Sequence, residues 1–73
     1  MDINNKRTRV YGYIIKGYNY DFIMEEFNCS LIFVLNTCRL VIQSKGNNIG
    51  NATRMHQIIK VDYPKEEFPE LWI

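Results

Sequence analysis

Hydrophobic and polar positions alternate between two rhythms along this chain. Thr8 to Lys16 (TRVYGYIIK) is rich in β-branched and aromatic residues and predicts a strand, with Val10, Gly12 and Ile14 on one side and Tyr11, Tyr13 and Ile15 on the other. Gly17-Tyr18-Asn19 breaks that pattern. Ile23, Phe27, Leu31, Val34 and Leu35 then recur at the spacing of one helical face, so Tyr20 to Leu35 predicts a helix. Asn19 or Asp21 is its cap, and Asp21, Glu25 and Glu26 suit the positive end of its dipole. Its second half is also β-prone, and Leu31–Leu35 could instead pair with Arg39–Gln43 as a hairpin turning at Asn36-Thr37.

Arg39 to Lys45 (RLVIQSK) carries a continuous apolar run, Leu40, Val41 and Ile42, and predicts a buried strand. After Gly46-Asn47-Asn48, the positions Ile49, Ala52, Met55 (or His56) and Ile59 repeat at helical spacing, with Ile58 widening the stripe. This helix must stop by Tyr63, because Pro64 disfavours helical geometry in the residue before it. The order strand, helix, strand, helix predicts a single small α/β domain of βαβα type over residues 1–63. Residues 64–73, with Pro64 and Pro69, read as an extended tail.

Composition narrows the function. With 73 residues there is room for one modest core, and a domain of this size buries only about 60% of its extended surface. The formal net charge of +1 conceals segregation. Lys6, Arg7 and Arg9 open the chain, Arg39, Lys45, Arg54 and Lys60 occupy the middle, and Glu66, Glu67 and Glu70 crowd the end. The longest apolar run, Leu31 to Leu35, falls far short of the roughly 20 residues that cross a bilayer. The expectation is a soluble, intracellular protein with Cys29 and Cys38 reduced.

Little here suggests catalysis. His56 is the one histidine, and two cysteines beside it make a poor zinc site. The adjacent pairs Glu25-Glu26 and Glu66-Glu67 point apart on any regular element. No enzyme, cofactor or metal is expected.

The most informative stretch is Val41 to Lys60, VIQSKGNNIGNATRMHQIIK. It reads as a strand delivering a Lys45-Gly46-Asn47-Asn48 turn to a helix start, where free backbone amides and Lys45 can meet a phosphate. Asn51 and Arg54 follow on the helix, and Asn47, Asn48 and Asn51 offer amides to phosphate, sugar or base. Val41-Ile42, Lys45-Gly46, Ile49, Ala52 and Ile58-Ile59-Lys60 resemble the central motif of the Alba family of small nucleic-acid-binding proteins. The resemblance implies an Alba-like fold, truncated before the family's β-hairpin, with RNA or DNA held by the loop after the first strand and the turn after the second. By position these are Lys16 and Lys45-Gly46, with Asn47 and Asn48 beside them, although the first loop lacks the family's lysine–proline pair. The Gly46-Asn47-Asn48-Ile49 turn is also faintly similar to kink-turn-binding ribosomal proteins.

Tyr18, next to Lys16, is the tyrosine best placed to stack on a base, while Tyr11 and Tyr13 are expected in the core. The leading expectation is therefore an RNA-binding component of a larger ribonucleoprotein, partnered by RNA and by protein subunits or a second copy. The alternative is a protein-interaction module or small inhibitor docking through Phe68, Leu71 and Trp72, although Trp72 could equally fold back over the protein's own core.

Overall fold

The computed structural model describes residues 3–44, 46 and 49–72. These residues form four α-helices: α1 (Ile3–Lys16), α2 (Tyr20–Phe27), α3 (Leu31–Gln43) and α4 (Ile49–Asp62). A short 3₁₀ turn, Pro69–Leu71, follows. No strand occurs among the described residues. The βαβα expectation is therefore wrong, and the Alba-like arrangement is overturned with it.

The physical reason lies in patterns that serve two periods. Val10 and Ile14 are two steps of a strand but also one turn of a helix, and both are fully buried on α1. Tyr11 and Ile15, expected on the opposite face, are half-buried beside them. A short apolar run cannot be told from a buried helix segment by periodicity alone. In Leu40-Val41-Ile42 only Val41 is buried, while Leu40 is 39% exposed, as a helix turning through a partly covered site requires. The expected second strand is thus the last part of α3.

The expected helix from Tyr20 begins where the spacing placed it but does not run to Leu35. It breaks at Asn28, Cys29 and Ser30 into α2 and α3. No hairpin forms at Asn36-Thr37, since both lie within α3. The α4 stripe follows its predicted spacing, with Ala52, Met55 and Ile59 buried.

α3 is the central element. It packs against α1, α2 and α4, burying Val34, Leu35, Thr37, Cys38 and Val41. The core adds Val10, Ile14, Ile23, Ala52, Met55 and Ile59. Each buried Val, Leu, Ile or Met side chain contributes about 1.5–3 kcal/mol. The two polar groups in the core are satisfied: the Thr37 hydroxyl donates to Phe33 O at 2.8 Å, and the Cys38 thiol donates to Ala52 O at 3.0 Å.

The C-terminal segment is not extended. It makes a turn after Pro64 and folds across α3 and α4. The Trp72 indole N–H donates to Tyr63 O at 2.7 Å, and Arg39 donates to Leu71 O at 3.0 Å. His56, Arg39 and Lys60 all lie within 6 Å of the Trp72 ring. No helix among the described residues is long and apolar enough to cross a membrane.

Candidate nucleic-acid interface

Two sharp corners organise the surface, and both use the same backbone device. At the end of α1, Gly17 takes φ 91°. Its N–H donates to Ile14 O at 3.0 Å, and the Tyr18 N–H reaches back to Tyr13 O at 3.3 Å. This pair of bonds satisfies the last carbonyls of the helix. The Tyr18 and Tyr13 rings then meet at 4.8 Å. At the end of α2, Asn28 takes the left-handed conformation at φ 49°, ψ 54°. Its N–H and that of Cys29 both donate to Met24 O. Asparagine tolerates this conformation because its short polar side chain bonds locally.

The second corner leads directly into α3. The Ser30 hydroxyl accepts the Phe33 N–H at 3.2 Å, a side-chain cap for the new helix. An eight-residue helix, a three-residue turn and a thirteen-residue helix thus follow one another with α1 packed across them. The basic start of α1 lies beside this corner. The Arg7 guanidinium is 5.5 Å from the Phe33 ring, and that of Arg9 is 5.6 Å from the Phe27 ring. Burial pushes the Cys29 thiol pKa up, and the nearby Lys6 ammonium works against that shift. Arg7 therefore lies against the first turn of α3, Lys6 near the turn before it and Arg9 against the end of α2.

The outward face of α3 is a stripe of Ile32, Asn36, Leu40 and Gln43, all exposed. Arg39 stands at its edge, half-buried. Its guanidinium donates to Asn36 Oδ1 at 3.1 Å and to Leu71 O.

The residues expected to bind nucleic acid are only partly brought together. Tyr18, Asn51 and Arg54 line one cleft of about 310 Å³ between the first corner and α4. Asn51 Nδ2 donates to Ile15 O at 2.8 Å, so this amide is committed to holding the corner. Across the cleft the Tyr20 hydroxyl donates to Asp62 at 2.7 Å, and that bond raises the Tyr20 pKa strongly. Tyr18 is 44% exposed, but its ring already lies against Tyr13 and Phe22. Lys16 is exposed at the end of α1 with Nζ 6.0 Å from the Tyr13 ring. Gly46 is exposed, and Lys45, Asn47 and Asn48 lie outside the described residues. The turn that was to be delivered by a strand follows a helix instead. Phe68, Leu71 and Trp72, the expected docking residues, are half-buried against their own chain.

His56 and Cys38 do not form an activated pair. Burial pushes the Cys38 thiol up to about 11, against a smaller opposing effect of the His56 backbone amide. Burial first, then Arg39 and Lys60, lowers the His56 pKa. The thiol is therefore protonated and unreactive near neutral pH.

Sequence reasoning missed the Asn28–Ser30 corner. Its signal was present in Asn28, a residue that tolerates left-handed backbone, followed two positions later by a capping serine. Comparison with protein-family models, curated proteins and solved structures gives no match for this chain.

Proposed function

We propose that this protein binds duplex nucleic acid, DNA in the first instance, through a helix-turn-helix unit made of α2, the Asn28–Ser30 corner and α3. The observation that supports this reading is the corner itself: a short helix, a left-handed first residue and a serine-capped second helix, braced by α1. In such a unit the second helix enters the major groove; α2 here carries exposed Asp21, Glu25 and Glu26, so the phosphate contacts fall to the basic start of α1. An α-helix of about 10–12 Å diameter fits a groove of about 12 Å width. Lys6, Arg7 and Arg9 supply the charge that phosphates require, beside the corner between α2 and α3. The low overall charge predicts a modest affinity with a shallow salt dependence, set by these few contacts.

The test is a titration of labelled duplex DNA, structured RNA and single strands between about 50 and 200 mM salt. Duplex DNA should bind most tightly and weaken as salt rises. Arg7→Glu with Arg9→Glu should lower affinity for every duplex alike, by about tenfold or more. Failure of any duplex to bind would sink the proposal.

RNA retains one favourable observation, the gathering of Tyr18, Asn51 and Arg54 around a single cleft. An RNA held there should be lost on Tyr18→Ala or Arg54→Glu and be indifferent to Arg7→Glu. The same titration therefore separates the two surfaces.

A further inference from the structure

The outward face of α3 has an unusual chemistry for a groove-facing helix. Its stripe repeats at i, i+4, i+8 and i+11 as Ile32, Asn36, Leu40 and Gln43, two aliphatic side chains and two amides. Ile32 is 43% exposed and Leu40 39%. The thirteen residues of α3 contain one cation, Arg39, and no acid. That cation is already engaged. One guanidinium nitrogen donates to Asn36 Oδ1 at 3.1 Å, and another to Leu71 O at 3.0 Å. The group also lies 5.7 Å from the Trp72 ring.

The major groove presents a distinct pattern for each base. Guanine is most often read by Arg or Lys on O6 and N7, cytosine by an acidic acceptor on N4. Neither chemistry is free on α3. Adenine is read by the amide of Asn or Gln, and the thymine methyl by apolar side chains. Both chemistries are exposed, and they alternate one helical turn apart.

We infer that the outward face of α3 reads A·T base pairs, with Asn36 on adenine, Ile32 against a thymine methyl, and Arg39 positioning Asn36 from its edge. This rests on the helix-turn-helix reading and specifies its target. An amide oxygen has two lone pairs, so Asn36 Oδ1 can accept from Arg39 and still accept from adenine N6. The tie removes the half-turn ambiguity of the amide: with the oxygen toward Arg39, Nδ2 is the free donor for adenine N7. Arg39 is in turn held by the C-terminal segment, through Leu71 O and the Trp72 ring. The folded-back tail thereby sets the donor and acceptor order on a face it does not itself belong to.

The experiment is selection of bound sequences from a random duplex pool, followed by affinities for matched A·T-rich and G·C-rich duplexes of one length. The wild-type protein should enrich A·T-rich sites. One good bidentate contact discriminates by roughly 5- to 150-fold, so a ratio in that range is expected. Asn36→Ala, an exposed change that spares the core, should bring the ratio close to one while leaving the salt slope intact. Arg39→Ala should reduce the ratio more than it reduces total affinity, and Arg39→Lys should restore part of it. If Arg39→Ala lowers affinity for both duplexes equally, Arg39 is structural only and its positioning role falls. Binding that ignores base composition, or favours G·C, overturns the inference and leaves the helix-turn-helix reading standing. Absence of duplex binding overturns both.

Discussion

The two corners of this molecule share one backbone device and differ in what holds it. The corner at Gly17 is anchored from afar: Asn51, thirty-six positions later on α4, donates to Ile15 O. A Cβ at Gly17 would stand 3.1 Å from the Asn51 side-chain nitrogen. The corner at Asn28 is built locally. Its bonds run to Met24 and from Phe33 to Ser30, all within five positions. The first corner opens on a cleft; the second presents α3 to solvent beside three cations. A corner tied by a distant residue depends on the whole fold, whereas a locally capped one needs only its own segment. The surface we propose for nucleic acid sits on the locally built corner.

Substitutions can sharpen this contrast or break it. Gly17→Ala should be the most damaging, about 2 kcal/mol, because it adds left-handed strain to the close approach of Asn51. Thermal or urea unfolding measures it, and a neutral result would refute the tight corner. Asn51→Ala should cost about 1.5 kcal/mol by leaving a carbonyl without its donor. Combined with Gly17→Ala it should be less than additive, because part of the clash disappears.

At the local corner, Ser30→Ala should cost about 1 kcal/mol through loss of the cap. Its effect should add simply to that of Asn51→Ala, since the two share no partner. Coupling between them would show that the corners are not independent. Asn28→Gly should change stability by only a few tenths of a kcal/mol, since the conformation is retained.

The smallest effect concerns pH. Burial and the cations of Arg39 and Lys60 hold His56 below its ordinary value of 6.5. The unfolded chain therefore takes up this proton more readily than the folded one. Stability should fall as pH drops through and below 6.5, and His56→Gln should flatten that fall. Urea midpoints at about pH 7 and about pH 5 measure it. A wild-type profile as flat as that of His56→Gln would contradict the burial of this ring against Trp72.

Much of the architecture was legible as segments but not as types. The start of α2, the α4 stripe of Ala52, Met55 and Ile59, and the stop before Pro64 all follow from spacing and proline chemistry. The two expected strands failed because Val10, Ile14 and Leu40-Val41-Ile42 satisfy a helical period as well as an extended one. Of the expected site, Tyr18, Asn51 and Arg54 do converge, although Asn51 is occupied by the corner it supports. The basic group at Lys6, Arg7 and Arg9 was visible as a charge cluster. Its proximity to the start of α3 was not, because that contact links residues more than twenty positions apart.

By itself the sequence determined which residues repel water, where glycine, asparagine, serine and proline turn the chain, and how charge is distributed. These are properties of single residues and short spacings, and they act before any tertiary contact forms. Only the packed structure decided whether β-branched segments became helices. Burial of Val10, Ile14, Val41 and their neighbours on a single face of each segment outweighs the weak local preference for extended backbone. It also decided where the tail lies and which face of α3 stays exposed, because each depends on partners that the chain brings together only once it has folded.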